Sequence, residues 1–540
     1  MAKAGLLILT SPLSQLKSLL PRVIEEASVV VSDTLYVCLQ PAVQNPTLSS
    51  FIQPVSSTQE VKQFISGLYL SGSNVCHTLD IRVLLSHLCK DPSIDIFKPY
   101  SVKKEITVWM TDSTKLKDLW QVENVAFIKA LQNAFTNISF DSKFHFINVG
   151  QEAHSSSIES SELLKTFPNV VVGGTFDRLH NGHKSLLTEC CMRCDNKLTV
   201  GITDGERNKK KTLWELMEPF SDRKAAMANF VSDVKPSISL EPVQIFDPFG
   251  PTITDPDFQC IVVSEETKAG GGMVNEERKK RNFKELEMVV IDLVDDACRA
   301  DDEEEKVSSS SKRKRLLGTL IKPLPSRPNL SKSPYRIAVT GGIASGKSNV
   351  CSELEKLGAK VINCDLLGHK AYDEGTAAYQ AIVKEFGQKV VDEDGKINRK
   401  QLGAIVFADR ANLDKLNSIV WPAIRQLAEE AIAQHKAAGV PIVVLEAAVL
   451  FEAGWDDMVH EVWTAFIPRP EAVNRIKDRN QLSQEEAEQR IDSQISNEVR
   501  IAQSNVVICP LWAKEITRKQ IQKAWSLLQK RISTPPVNKL

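Results

Sequence analysis

The chain has 540 residues, 42% apolar and 25% charged, which is the balance of an ordinary soluble protein and too long for one domain. Its 67 Lys and Arg against 68 Asp and Glu exclude a global pull toward nucleic acid or an anionic membrane, so any anion site must be local. The 11 cysteines lack the paired spacing of a disulfide framework, and no apolar run reaches the roughly 18 residues of a membrane span.

The opening stretch "MAKAGLLILTSPLSQLKSLLPRVIEE" carries Lys3, Lys17 and Arg22 before its first acid, Glu25. Two readings stand. An acid-poor, weakly basic start is similar to a mitochondrial targeting segment over 1–26. On that reading the protein is cytoplasmic, with mitochondrial targeting or peripheral association of its N-terminus with the mitochondrial surface. The other reading is a first strand, "GLLIL", followed by a helix. Further β-rich runs such as "EITVWMTD" and "KFHFINV" predict an N-terminal α/β domain over 1–167 that contains no chemical motif. Cys76, His77, His87 and Cys89 fit no standard zinc spacing.

A second α/β series, "NVVVGG", "KLTVGIT", "QCIVVSE" and "ELEMVVIDL", spans 168–300. Its first strand runs into "GGTFDRLHNGH", Gly173 to His183. His180 and His183 stand three residues apart at a helix start and face one direction. Gly182 leaves room for a phosphate, and the helix N-terminus adds positive dipole. A clamp for an α-phosphate under attack, with Gly173, Thr175 and Phe176 in its loop, accounts for the whole stretch. A zinc site with Cys190, Cys191 and Cys194, a nucleophile diad, or plain polar residues entering a helix each account for less of it. Lys209, Lys210 and Lys211 form a basic run that the sequence does not rank; Lys211 is taken as the phosphate contact, beside Arg223 in "SDR".

From 301 to 333 an acidic run, a serine run, a basic run and prolines follow in order, and the segment reads as a flexible linker. Lys312–Arg315 is read as solvated charge rather than a nuclear signal.

The third series begins with "YRIAVTG" and occupies 334–540. "GGIASGKS" matches G-x-x-x-x-G-K-[ST] between a strand and a helix. Backbone amides of Gly341, Gly342, Ile343, Ala344, Ser345 and Gly346 would cradle phosphates; Lys347 would reach them and Ser348 would ligate Mg²⁺. Asp365, after the strand "AKVINCD", stands where a carboxylate could take a proton from an attacking hydroxyl, or could cap the next helix. Arg475, Arg479 and Arg490 lie on helical, charge-rich segments and are candidates to close over the phosphates.

"VTGGIASGKS", "VINCD", "RKQLGAIVF", "LNSIVWPAIR" and "RIKDRNQLSQEEAEQRIDSQ" resemble the dephospho-CoA kinases across 334–540. The resemblance implies transfer of the ATP γ-phosphate to the ribose 3′-hydroxyl of dephospho-CoA. It makes Asp365 the base, puts Arg399, Pro422 and Arg425 in family stretches, and makes Arg475–Arg490 a lid. The chain departs from the family with "AAVLFE" for "PLLFE" and with Cys509 for a terminal Asn. "GTFDRLHNGH" is similar to the H-x-G-H nucleotidyltransferases. "VGITDGERNKKK", "SDRKAAM" and "VVSEETKAGGGMVNEERKKRN" resemble the eukaryotic phosphopantetheine adenylyltransferases, whose second nucleotide-contact motif falls on Asn275 and Arg278.

Together the resemblances imply a multidomain α/β chain: an N-terminal α/β domain, a Rossmann-like nucleotidyltransferase domain and a P-loop kinase domain. They imply a bifunctional enzyme for the last two steps of coenzyme A synthesis. ATP would be the co-substrate with Mg²⁺, 4′-phosphopantetheine and dephospho-CoA the acceptors, and nucleic acid not a partner. The competing reading, an active P-loop kinase with a regulatory or scaffolding H-x-G-H domain, is disfavoured because both motifs are whole.

Overall fold

The computed structural model describes residues 1–41, 46–48, 51–90, 99–149, 162–300 and 302–533. The chain divides into two compact units, Met1–Lys312 and Arg313–Leu540.

The first unit starts with β1 (Ala2–Leu9), β2 (Val31–Leu39), β3 (Val55–Ser56), β4 (Asp80–Val83), β5 (Leu88–Cys89), β6 (Ile106–Thr111) and β7 (Ile138–Phe146). Helices α1 (Leu13–Val30), α2 (Gln59–Val75) and α3 (Thr114–Ala134) lie between them. β3 and β5 form a short ribbon, and the other five make a parallel sheet in the order β4-β2-β1-β6-β7. β1 is central, and Leu6 to Leu9 are at most 1% exposed, as expected of a parallel strand covered on both faces. Residues 1–26, one reading of which is a targeting segment, fall mostly within the central strand β1 and helix α1. Leu7, Leu9, Leu16, Leu20, Val23 and Ile24 belong to the core of this unit.

A second parallel sheet holds β8 (Phe167–Gly174), β9 (Cys194–Thr203), β10 (Ser239–Ile245), β11 (Cys260–Ser264) and β12 (Glu287–Ile291), in the order β10-β9-β8-β11-β12. Its helices are α4 (Asn181–Arg193), α5 (Phe220–Val234) and α6 (Lys268–Lys280). The expected division near 167 does not separate two cores. Leu68 and Tyr69 of α2 share one hydrophobic cluster with Leu187, Cys190 and Cys191 of α4. Those cysteines are therefore core residues, and burial pushes the Cys191 thiol up to about 12.

The segment expected to be a flexible linker is built into the fold. Within the first unit, the Val307 amide donates to the Val294 carbonyl at 2.8 Å and Ser309 Oγ to the Asp177 carbonyl at 2.9 Å. Residues Ser309–Leu316 form α7. Within the second unit, the Gly318 and Ile321 amides donate to Val507 and Asn505 carbonyls at 2.9 and 2.8 Å. Charge-rich composition concealed these bonds because they use backbone and serine groups, and the buried apolar side chains beside them, Val307 and Leu317, are few.

The second unit contains β13 (Tyr335–Thr340), β14 (Lys360–Asn363), β15 (Ile442–Glu446), β16 (Glu461–Ala465) and β17 (Val506–Ile508), a parallel sheet ordered β14-β15-β13-β16-β17. Helices α8 (Lys347–Lys356), α9 (Cys364–Lys370), α10 (Ala377–Phe386), α11 (Arg399–Ala408), α12 (Arg410–Ala437), α13 (Arg469–Asn480), α14 (Gln484–Asp492), α15 (Asn497–Gln503) and α16 (Lys514–Ser533) complete it. Alternation along β13 sends Ala338 into one core and Ile337 and Val339 into the other, so helices cover both faces. No helix among the described residues is long and apolar enough to cross a membrane.

Candidate active sites

β8 ends at Gly174, and the chain turns through a short loop into α4. Phe176 and Arg178 adopt left-handed backbone, with φ of 50° and 49°. The loop is pinned from inside. Arg223 Nη1 donates to the Thr175 carbonyl at 2.8 Å and the Thr203 carbonyl at 2.9 Å. The Glu218 amide donates to Asp177 Oδ1 at 2.9 Å.

His180 caps α4: its Nδ1 accepts from the His183 amide at 3.4 Å, which puts the ring proton on Nε2. The His183 ring stacks on it with centroids 3.8 Å apart, and Phe176 supports His183 from 5.3 Å. Burial, then His183 and the cations Lys312, Lys184 and Lys306, hold His180 well below the ordinary histidine range. Burial and Lys211 bring His183 down to about 3. His183 Nδ1 is buried with no hydrogen-bond partner. An unpartnered ring nitrogen at a helix N-terminus suits a phosphate oxygen.

The structure ranks the three lysines. All three are exposed, but Lys211 Nζ donates to Thr175 Oγ1 and is close enough to depress His183, whereas Lys209 pairs with Glu206 at 2.5 Å. Gly173 is exposed, with open space where a Cβ would lie.

Other expected contacts require correction. A Cβ on Gly182 would press on the His180 ring at 3.2 Å, so this glycine makes room for the histidine. Phe176 is 0% exposed and packs behind His183. Arg223, 1% exposed, spends its guanidinium on Thr175, Thr203, Glu218 and Asp204, holding the loop instead of a phosphate. Asn275 brackets the backbone of Leu286, donating at 3.0 Å and accepting at 2.8 Å. Arg278, 0% exposed, donates to the carbonyls of Lys284, Thr252, Asp255 and Pro256. Both are fixtures of the fold around α6.

In the second unit the P-loop leaves β13 and opens α8. A Cβ on Gly341, at φ 152°, would lie 2.1 Å from the Ala465 carbonyl oxygen, so only glycine fits there. Lys347 Nζ donates to the Gly341 and Gly342 carbonyls at 2.8 and 3.1 Å. Burial lowers its pKa, against the pull of Asp365. A cavity of about 530 Å³ is lined by Ala344 to Asn349 with Arg475, Asp478 and Arg479. Arg475 is oriented by Glu471 at 2.7 Å and by the Pro510 carbonyl at 2.7 Å. Arg490 sits exposed on α14 and does not line this cavity. Asp365 is exposed in the first turn of α9 and is not its cap, since Asn363 accepts from the Leu366 amide at 3.0 Å. Arg425, by contrast, forks onto Asp457 at 2.9 and 3.1 Å.

Residues 335–510 match the family described as Dephospho-CoA kinase. The dephospho-CoA kinase of Geobacter sulfurreducens is 44% identical over 190 residues, 35% of this chain and 96% of that protein. The chain belongs to the dephospho-CoA kinase family. The enzyme of that name from Symbiobacterium thermophilum is 40% identical over 189 residues, 35% of this chain and 79% of its own. The solved dephospho-CoA kinase of Campylobacter jejuni is 29% identical, with a TM-score of 0.30, over 36% of this chain and 98% of its own. Ahead of the kinase, residues 3–109 match the COASY N-terminal domain and residues 171–315 the Cytidylyltransferase-like family. This order of three domains is that of a bifunctional coenzyme A synthase.

Sequence reasoning missed several groups. In the dephospho-CoA kinase half, Glu446 ends β15 beside the P-loop; Ser348 Oγ donates to it at 2.6 Å and Asn363 Nδ2 at 2.9 Å. The signal was the acid closing "PIVVLEA", at the carboxyl end of the strand next to β13. Gln494 Oε1 accepts from the Ile343 amide at 2.9 Å, and Arg500, 2% exposed, bears electrostatically on Lys347. Nothing in the local pattern marks either. In the cytidylyltransferase-like half, Lys306 and Lys312 bear on His180. The cue was the serine run, from which Ser308 caps α7 by accepting the Ser311 amide at 3.1 Å.

Proposed function

We propose that the chain makes coenzyme A in two steps. In the first, an oxygen of the 4′-phosphate of phosphopantetheine attacks the α-phosphorus of ATP, and pyrophosphate leaves. The attacking group is already an anion, so positioning and charge stabilisation carry the step. His180 Nε2–H, the amides at the start of α4 and Lys211 would meet the charge that builds on the transferred phosphate, while Arg223 holds the Thr175 loop in place. Each neutral imidazole keeps one N–H with which to donate to a phosphate oxygen.

In the second step the ribose 3′-hydroxyl of dephospho-CoA attacks the ATP γ-phosphorus and ADP leaves. Asp365 is the nearby carboxylate for the hydroxyl proton, and Lys347 exchanges the Gly341 and Gly342 carbonyls for phosphate oxygens. Ser348 and Glu446 are hard oxygen donors 2.6 Å apart and fit Mg²⁺, which would neutralise phosphate charge there. The observation that carries this reading is the two matched families on one chain, because the product of the first reaction is the substrate of the second.

Incubation of the purified chain with phosphopantetheine, ATP and Mg²⁺ tests it. Pyrophosphate, dephospho-CoA and then CoA are expected in order, and Lys347→Ala is expected to stop at dephospho-CoA. A chain that phosphorylates added dephospho-CoA but never releases pyrophosphate from phosphopantetheine and ATP would leave a kinase alone.

A further inference from the structure

The first unit contains one topology twice. In the first sheet the strand order reverses at β1 and β6; in the second it reverses in the same way at β8 and β11. Such switch points are where open α/β sheets bind ligands. In the first sheet the chain fills this corner itself. Asp112 accepts from the Thr10 amide at 2.8 Å, the Thr10 hydroxyl at 3.2 Å and the Ser11 amide at 2.9 Å. A carboxylate already takes the amides that a phosphate would use.

The first sheet and its helix α2 instead grip the helix that bears the histidines. Asn181, the residue between His180 and Gly182, is 7% exposed and donates to the Tyr69 carbonyl at 3.2 Å and to Ser73 Oγ at 3.0 Å. About two turns on, Thr188 Oγ1 and Tyr69 Oη are 2.9 Å apart. Lys184, which follows His183, is 5% exposed and pairs with Asp80 at the head of β4, Nζ to Oδ1 2.7 Å. Arg82 holds the same carboxylate at 2.7 Å and reaches Asp233 of α5 at 2.6 Å. Helix α5 also carries Arg223, which pins the Thr175 loop. One strand of the N-terminal sheet is thus tied to both helices that frame the phosphate corner.

We propose that the Asp80–Lys184 ion pair is a positioning device for adenylyl transfer, and that the N-terminal sheet serves the transferase site through it. The pair fixes the first turn of α4, and with it the His180–His183 face, against the Thr175 loop. Neither residue touches substrate; both act through α4. A small displacement there matters because misplacing reacting groups by about 1 Å costs on the order of 10²-fold in rate. This inference rests on the adenylyl-transfer reading above.

The test is single-turnover adenylyl transfer by the full chain, with enzyme in excess over phosphopantetheine at concentrations where the rate no longer rises with enzyme, and with ATP saturating. The observed rate constant then reports folded molecules only, and a misfolded fraction lowers only the active-site concentration. Asp80→Asn is expected to lower the rate constant on the order of 10²-fold. Asp80→Asn combined with Lys184→Met buries no unpaired charge, so it keeps the test open should the single variant fail to fold. The double variant is expected to be as slow as the single one. Phosphorylation of added dephospho-CoA should be unchanged in both. A double variant within about twofold of the wild-type rate constant, the range of sites that do not couple, would overturn the proposal. A wild-type chain that releases no pyrophosphate would instead overturn the transferase reading on which it rests.

Discussion

His183 stacks on His180 with ring centroids 3.8 Å apart, and burial leads the causes that keep both imidazoles neutral. His87, 2% exposed in the same unit, is lowered to about 4 by burial. These folded-state values lie below the unfolded value near 6.5, so between them the unfolded chain binds more protons. The stability they contribute is complete above about pH 6.5 and is lost as pH falls. Each imidazole adds a slope of at most about 1.4 kcal/mol per pH unit. Pulse proteolysis of the first unit from pH 7 to 4.5 should show this loss, and His183→Asn should make it shallower. Equal slopes in the two proteins would mean that His183 is not held neutral.

Glu446 accepts from both Ser348 and Asn363, so its carboxylate is oriented toward the start of α8. Glu446→Gln keeps the shape and removes the anion. Phosphorylation of dephospho-CoA should need roughly 10- to 100-fold more Mg²⁺ for half-maximal rate. Pyrophosphate release in the first step should be unaffected. A Mg²⁺ titration of both reactions checks the two statements together.

Lys211 is the member of its run that reaches Thr175. Lys211→Ala should slow adenylyl transfer on the order of 10²- to 10³-fold, as loss of a charge-stabilising donor does. Lys209→Ala and Lys210→Ala should stay within about fivefold, since Lys211 is the one of the three that bonds Thr175 and bears on His183 and an exposed charge without such contacts is worth roughly 1 kcal/mol or less. Pyrophosphate release by the three variants distinguishes them, and equal losses would remove Lys211 from its special place.

Contiguous motifs were the legible part of this chain. The P-loop and "GGTFDRLHNGH" each join a strand, a loop and a helix within a dozen residues, so local spacing alone places His180 beside His183 and Lys347 beside Ser348. The parallel α/β class followed from the same alternation. Partners distant in the chain were not legible. Glu446 is 98 residues from Ser348, and Asp80 is far from Lys184, so only the strand order brings them together. The segment after 300 was misread for a different reason. Its composition resembles a linker, but it is held by backbone groups, by Ser309 and by a few apolar side chains, Val307, Leu317 and Leu320, too sparse to make a periodic pattern. Arginines misled as well: a guanidinium that recognises phosphate and one that gathers carbonyls look the same in sequence.

Arg278 is the clearest case of the latter and yields the last prediction. Its side chain is fully buried, and its nitrogens donate to four backbone carbonyls, of Lys284, Thr252, Asp255 and Pro256. Those carbonyls lie on the chain before and after α6, so the guanidinium closes the two connections onto the helix. Arg278→Met keeps most of the volume but leaves the carbonyls without donors, and each buried unsatisfied acceptor costs about 1–3 kcal/mol. Allowing for relaxation and non-additivity, the first unit should lose on the order of 3–5 kcal/mol. Folded enzyme should keep its KM for ATP in adenylyl transfer, because Arg278 is fully buried and four of its five N–H groups are committed to backbone carbonyls. Urea unfolding and transferase kinetics on the same variant decide the matter. A raised KM at unchanged stability would return Arg278 to the nucleotide site, whereas lost stability at unchanged KM makes it a fastener of α6.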